Sequence, residues 1–292
     1  PYFFAGQQTK QPLQTLIFEL NAVIKNKQMT KKIIFWFRRD LRLEDNTGLF
    51  EALKTGLPVL PLFIFDTDIL SKLENKSDRR VDFIFQALQE INRRLISMNS
   101  RLCIRYGTPS SVFKSLTGTG DIEAVYTNRD YEPYARQRDE LISKQLQAEN
   151  ISFLTFRDQV IFEPNEVMKQ DGTPYTVYTP YSNAWRKSLT ESRLNRFPSE
   201  SLNNFAPDIP ASDIHQLQDT GFHPTSVVFK APEIRYTLLS HYHDTRDIPA
   251  MDGTSGLSVH LRFGTISIRK LVKAALDTND TWLGELIWRE FF

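Results

Sequence analysis

The sequence predicts an α/β protein: a doubly wound parallel five-stranded sheet, then a long linker, then the start of an all-α domain. Between residues 32 and 156, five short β-rich runs alternate with four longer helical patterns, as expected of a parallel sheet with crossover helices. Residues 163–230 hold seven prolines among Asn, Ser and Asp, a density that forbids long regular elements. Beyond Ala231 the strand patterns stop and helical ones run on to residue 292. The expected organisation is an upstream extension at 1–28 outside the fold, an α/β domain at 29–157, a linker at 158–230 and the first part of a helical domain at 231–292.

The strands read at 33–37, 59–65, 101–106, 122–126 and 152–156, each rich in Ile, Val, Phe and Tyr. Helices read at 46–56, 78–98, 109–117 and 132–149. Asn46 and Ser77-Asp78 are cap signals, and Pro109 suits a first helical turn. The linker contains Tyr175, Tyr178, Tyr181 and Trp185, too aromatic for a bare tether, so part of it should pack on a domain. The later helices read at 232–243, 256–263, 266–277 and 280–292. Thr265 and Ser267 are candidate caps for the third, and Asp280-Thr281 for the start of the last. The stretch 231–292 is short for burying a core of its own, which predicts a longer natural chain. A further helical pattern at 11–25 precedes Met29, the first methionine placed to begin a domain.

Composition narrows the function. Lys and Arg number 36 against 35 Asp and Glu, a formal charge of +1, so nucleic-acid contact must come from a local patch rather than overall charge. One cysteine, Cys103, excludes an internal disulfide and fits a reducing, cytoplasmic setting. No apolar run approaches the roughly 20 residues needed to span a bilayer. The five histidines are not paired with Cys or Glu at a ligand spacing, so no metal site is expected. No G-x-G-x-x-G, P-loop or G-x-S-x-G pattern occurs, which disfavours an ordinary dinucleotide, P-loop or serine-hydrolase site. Arg38-Arg39-Asp40 and Asp66-Thr67-Asp68 fall at strand carboxyl ends, where such sheets bind ligands; they equally suit solvated, mutually paired strand ends.

Two constellations carry chemistry. Thr254, Ser255, Gly256, Leu257 and Ser258 put hydroxyls and free backbone N–H groups before a helix, which reads either as a plain cap or as a phosphate site. Tyr242 and Arg246, one turn apart, add a hydroxyl and a guanidinium that could reach the same anion or a nucleic-acid backbone. Trp282, Glu285, Trp288 and Arg289 recur at helical spacing and read as one aromatic, acidic and cationic face. Either Trp alone suits a core, but a carboxylate between them needs a partner.

Four motifs in order resemble the photolyase/cryptochrome family: Phe35-Trp36-Phe37-Arg38-Arg39-Asp40-Leu41-Arg42-Leu43 with Asp45-Asn46; Arg246-Asp247 and Gly253 to Ser258; Leu261 to Ser267; and Glu285 to Phe291. The resemblance covers about 29–292. It implies an antenna-type α/β domain and a helical domain that binds FAD. Tyr242, Thr254, Ser255, Gly256, Leu257, Ser258 and Trp282 would contact the flavin nucleotide. Glu285 and Trp288 would be catalytic, with Glu285, Trp288, Arg246 and Arg289 facing damaged DNA. The reaction implied is light-driven electron transfer from reduced FAD to a cyclobutane pyrimidine dimer, opening of the ring and return of the electron.

Glu285 resembles the dimer-repairing branch, the (6-4) branch carrying Gln there. Folate-binding members carry Asn-Glu where this chain has Tyr134-Ala135, which counts against folate as a second, antenna chromophore and leaves a deazaflavin or an empty site open. A monomer is expected. The rival readings are a cryptochrome photoreceptor and an electron-transfer flavoprotein without DNA binding. Taken alone, these 292 residues are expected to bind FAD weakly and to repair nothing.

Overall fold

Ile33, Ile34, Phe35, Trp36 and Phe37 are all buried, as only a strand covered on both faces allows. They form β1, Lys32–Phe37, in a computed structural model that describes residues 31–292. The upstream extension and the helical pattern at 11–25 lie outside the described residues. The chain continues through α1 (Thr47–Lys54), β2 (Val59–Asp66), α2 (Thr67–Leu70), α3 (Arg79–Ser97), β3 (Cys103–Gly107), α4 (Pro109–Thr117), β4 (Ile122–Asn128), α5 (Pro133–Ala148) and β5 (Ser152–Phe156). The five strands are parallel in the order β3-β2-β1-β4-β5. The doubly wound sheet is therefore present, with its direction of winding reversing between β1 and β4.

Alternation along β1 divides the core. Ile33, Phe35 and Phe37 join a cluster with Phe63, Leu88 and Ile91, whereas Ile34 and Trp36 join Leu62, Phe113 and Ile142 on the other face. Helix starts follow local chemistry: the Asn46 side chain accepts from Leu49 N, Asp78 accepts from Arg80 N, and Pro109 occupies the first turn of α4.

The proline-rich stretch is more regular than its composition suggests. It holds the 11-residue helix α6, Tyr178–Ser188. Pro174 precedes that helix and Pro180 falls in its first turn, where a missing N–H costs nothing. Further along, the chain is strapped to the sheet domain: Val59 N donates to Asn204 O and Ala206 N to Val59 O.

The helical layer comprises α7 (Tyr236–Ser240), α8 (Tyr242–Thr245), α9 (Ser258–Phe263), α10 (Ile268–Thr278) and α11 (Asp280–Phe291). One expected helix is thus two short ones, broken at His241. As expected, α11 begins at Asp280-Thr281, and its cap is Asn279, which accepts from Trp282 N. Ser267 heads α10 without a capping bond, because its hydroxyl is bonded elsewhere. The shortness of this layer is offset by the linker: Ile161, Phe162, Trp185 and Leu194 are buried in one core with Leu271, Trp282 and Leu286. Residues 32–292 form one compact unit.

A buried ionic cluster closes the seam between sheet and helices. Arg42 reaches Asp158 at 2.6 Å, and Arg269 reaches Asp158 at 3.0 Å and Asp45 at 2.9 Å. Ser267 Oγ donates to Asp45, and the Thr47 N–H and hydroxyl both donate to Asp158. Asp45 itself adopts φ 47°, a left-handed conformation that Asp tolerates better than most residues. Burial acts to raise the Asp158 pKa, but the Arg42 and Arg269 guanidiniums outweigh it and hold the carboxyl well below the usual carboxylate range.

Asp158→Asn should therefore cost about 3–5 kcal/mol, read as a lower urea midpoint. Because the folded-state pKa is depressed, this stabilisation is complete above roughly pH 4 and drains away as the pH falls further. The acid limb of the stability curve should be flatter in the variant, a difference that urea titrations at descending pH will measure.

Candidate functional site

A glycine turn sets the first wall of the site. Gly256 has φ 68°, a conformation that L side chains rarely adopt, two residues before the helix that starts at Ser258. The following helix, α9, has Leu257 as its N-cap and no side-chain capping bond. The plain-cap reading therefore does not hold. Ser255 Oγ accepts weakly from Leu257 N at 3.4 Å, and the Thr254 and Ser258 side chains are exposed.

These residues line a cavity of about 1110 Å³, slightly larger than the roughly 300–1,000 Å³ typical of ligand sites. Tyr242, Thr254, Ser255, Gly256, Leu257, Ser258 and Trp282 all line it, as do Glu285 and Arg289. Trp282 is 2% exposed and gives the cavity an apolar wall. Burial raises the pKa of the Tyr242 phenol, and the nearby Glu285 charge adds to that, so it stays a neutral donor.

The opposite wall comes from the linker. Gln159, Phe162, Tyr175 and Tyr181 line the cavity, with Arg39 and Tyr131 from the sheet domain. The aromatic density of the linker was the only sequence signal for this wall; nothing local distinguishes Gln159. Arg289 donates to Gln159 O at 2.7 Å, so it is turned into the fold. Burial lowers the Arg289 pKa. Its neighbour Glu290 accepts from Trp185 Nε1 at 2.7 Å and from the backbone N–H groups of Ile161 and Phe162. Burial pushes the Glu290 carboxyl upward.

At the rim, Arg246 Nη1 donates to Glu285 Oε1, supplying the partner that this carboxylate needs. Arg246 also bonds Asp247 at 3.2 Å, and its guanidinium lies 5.8 Å from the Tyr242 ring centroid. Arg246 itself does not line the cavity.

The four-residue face of α11 divides in two. Trp282, Glu285 and Arg289 share the cavity side, whereas Trp288 lies roughly 120° round the helix from Trp282 and does not line the cavity. It stacks on Tyr178, with ring centroids 3.6 Å apart. Spacings of three or four drift round a helix when summed, which the one-face reading overlooked.

The strand-end residues are largely spoken for. Arg38 pairs with Asp139 at 2.5 Å, Arg39 with Asp130 and Glu132, and Asp40 accepts from Asn128 at 2.6 Å. Tyr134 donates to Asp66 at 2.6 Å. Among the described residues no group of His, Cys, Asp or Glu is placed to hold a metal, and no helix is long and apolar enough to cross a membrane.

The family described as DNA photolyase matches residues 33–201. A deoxyribodipyrimidine photo-lyase of Synechococcus is 32% identical over 90% of this chain and 60% of its own length. The chain thus spans about 60% of the length of that relative. Among solved structures, a class III photolyase from Agrobacterium tumefaciens superposes with a TM-score of 0.75 at 26% identity, covering 92% of this chain and 59% of its own. An archaeal photolyase from Sulfolobus tokodaii, described with two FAD molecules, gives 0.67 at 27% identity, with 89% and 58% covered.

A lost helix cap costs about 1 kcal/mol. Thr254→Ala and Ser258→Ala, whose hydroxyls cap nothing, should each stay within about 0.5 kcal/mol of the parent when urea unfolding is measured without added ligand.

Proposed function

This chain belongs to the DNA photolyase family, and we propose that it carries the flavin-phosphate and lesion-facing residues of a light-dependent carbon-carbon lyase repairing cyclobutane pyrimidine dimers. One observation carries the reading: the hydroxyl-rich turn 254–258, Trp282 and Glu285 converge on a single cavity. The donor set fits FAD. Thr254, Ser255 and Ser258 offer hydroxyls to a diphosphate, Tyr242 offers a phenol, and Trp282 supplies a flat apolar wall for a ring. The naming of the Sulfolobus structure with FAD and of the Synechococcus relative as a photo-lyase supports this reading. When bound and reduced, FAD supplies the electron that blue light mobilises.

The remaining chemistry belongs to the chain. Enzymes of this class take their target out of the DNA stack, and a dimer costs less to extrude than an intact pair. Glu285 accepts from a pyrimidine N–H and, when protonated, stabilises charge developing on a carbonyl. Its pairing with Arg246 keeps it oriented at the rim. On lesion binding Arg246 exchanges this carboxylate for a DNA phosphate, which keeps the guanidinium paired and frees Glu285 to take the lesion as its partner. Trp288 offers a stacking surface beside the rim, worth roughly 1–3 kcal/mol per base. A monomer acting in the cytoplasm is the simplest setting. The antenna chromophore, folate or deazaflavin, has its candidate surroundings at Tyr134, whose hydroxyl is tied to Asp66.

The test is a chimera in which residues 32–292 replace the matching segment of the Synechococcus photo-lyase. It should clear dimers from irradiated DNA under blue light. Glu285→Ala should slow repair by on the order of 10²-fold while the flavin absorption stays unchanged. A chimera that binds flavin but repairs nothing would instead support a photoreceptor; repair indifferent to Glu285→Ala would remove that residue from the reaction.

A further inference from the structure

Tyr178 opens α6 in the linker and reaches α11 through two kinds of contact. Its ring lies parallel to that of Trp288, with centroids 3.6 Å apart and an interplanar angle of 6°. Its hydroxyl donates to the Gly284 carbonyl at 2.9 Å, about one helical turn before Trp288. Phe291 stands edge-on to both rings, 5.9 Å from Tyr178 and 5.6 Å from Trp288. Phe292 also stacks on Trp288, with centroids 5.5 Å apart and an interplanar angle of 22°; among the described residues the indole has no side-chain hydrogen-bond partner, so its orientation rests on these ring contacts.

We infer that Tyr178 is a positioning residue for lesion recognition, a backing ring that holds the Trp288 indole in the plane a base must stack on. The inference rests on the proposed lesion-stacking role of Trp288. An unsupported indole samples several rotamers, and a ligand that stacks on it must first select one. A parallel ring at 3.6 Å removes that freedom before DNA arrives. The tether to Gly284 fixes the phenol in turn, and it does so through the backbone of the same helix that carries Glu285 and Trp288. The linker thereby sets the geometry of a surface to which it contributes no base contact. An aliphatic side chain at 178 would fill the space without imposing a plane; phenylalanine would keep the plane and lose only the tether.

The experiment compares the 292-residue chain with Tyr178→Ala, Tyr178→Leu, Tyr178→Phe, Trp288→Ala and the double variant Tyr178→Ala/Trp288→Ala. Affinity is measured for an irradiated and an intact thymine-tract oligonucleotide at fixed salt, with far-UV circular dichroism as the check on folding. Tyr178→Ala and Tyr178→Leu should lower the irradiated-to-intact ratio by roughly fivefold or more. Their affinity for intact DNA, set by phosphate contacts, should hold within about twofold. Tyr178→Phe should keep most of the ratio. The double variant should be no worse than Trp288→Ala, because Tyr178 acts through that ring.

A ratio lost in Trp288→Ala but kept in Tyr178→Ala overturns the inference, and so does a further loss on adding Tyr178→Ala to Trp288→Ala. If the parent chain shows no preference, or Trp288→Ala retains it, the lesion-stacking reading fails and this inference fails with it. Should Tyr178→Ala not fold, the contrast between the leucine and phenylalanine variants decides.

Discussion

Two buried carboxylates and two buried guanidiniums at the seam, Asp45, Asp158, Arg42 and Arg269, hold the helical layer against the carboxyl end of the sheet. Taking four charges out of water is favourable only if the geometry satisfies nearly every polar atom, and here Ser267, Thr47 and the Gly264 carbonyl complete the set. The cluster therefore acts as a register pin more than as a source of net stability. One helix position, Arg269, must meet acids from two different loops, so α10 has one permitted placement. Gly264 shows how tight that placement is: it sits at φ 66°, and a Cβ there would lie 2.1 Å from the Arg39 carbonyl oxygen. The winding of the sheet reverses here, where a doubly wound fold usually receives its ligand. In this chain the cavity opens at that same end of the sheet, with Arg39 after β1 and Tyr131 and Glu132 after β4 lining it together with the helical layer and the linker.

Legibility in the sequence followed the range of the forces involved. Strands β1 and β5 and helix α4 were readable nearly to the residue, because short runs rich in aromatic and β-branched residues and a first-turn proline are local signals. The hydroxyl-bearing segment 254–258, which lines the cavity, stood out in the sequence because Gly256 and its flanking hydroxyls are contiguous. The linker was not. Proline density argued against regular structure, yet tertiary burial of Trp185 and the bond from its indole to Glu290 hold α6 in place. Those contacts join residues more than a hundred positions apart, and no periodicity within the linker announces them.

The last helix illustrates why motif residues should not be assigned one kind of role. Glu285 and Glu290 are five residues apart in one motif, but they face different surroundings. Glu285 lies at the rim and is held by a single guanidinium, whereas Glu290 is enclosed by an indole N–H and two backbone N–H groups. A carboxylate with three fixed donors is a structural pin, which anchors the linker at Ile161 and Phe162 to α11. One with a single exchangeable partner is available for chemistry. The count of rigid donors separates the two where sequence spacing does not.

The same distinction bears on how one helix would serve both the proposed cofactor and the proposed lesion. Trp282 and Arg289 are committed to the cavity wall, one by burial and the other by its bond to Gln159. Glu285 stands between that wall and solvent, and Trp288 faces away round the helix, backed by the linker. A rigid α-helix keeps these faces at constant separation, so a ring seated against Trp282 and a base stacked at Trp288 would both lie within reach of the Glu285 side chain. The linker fixes one face through Glu290 and the other through Tyr178. Displacing the linker would therefore disturb both faces together, and the coupling between the two candidate surfaces follows from packing alone, without any conformational switch.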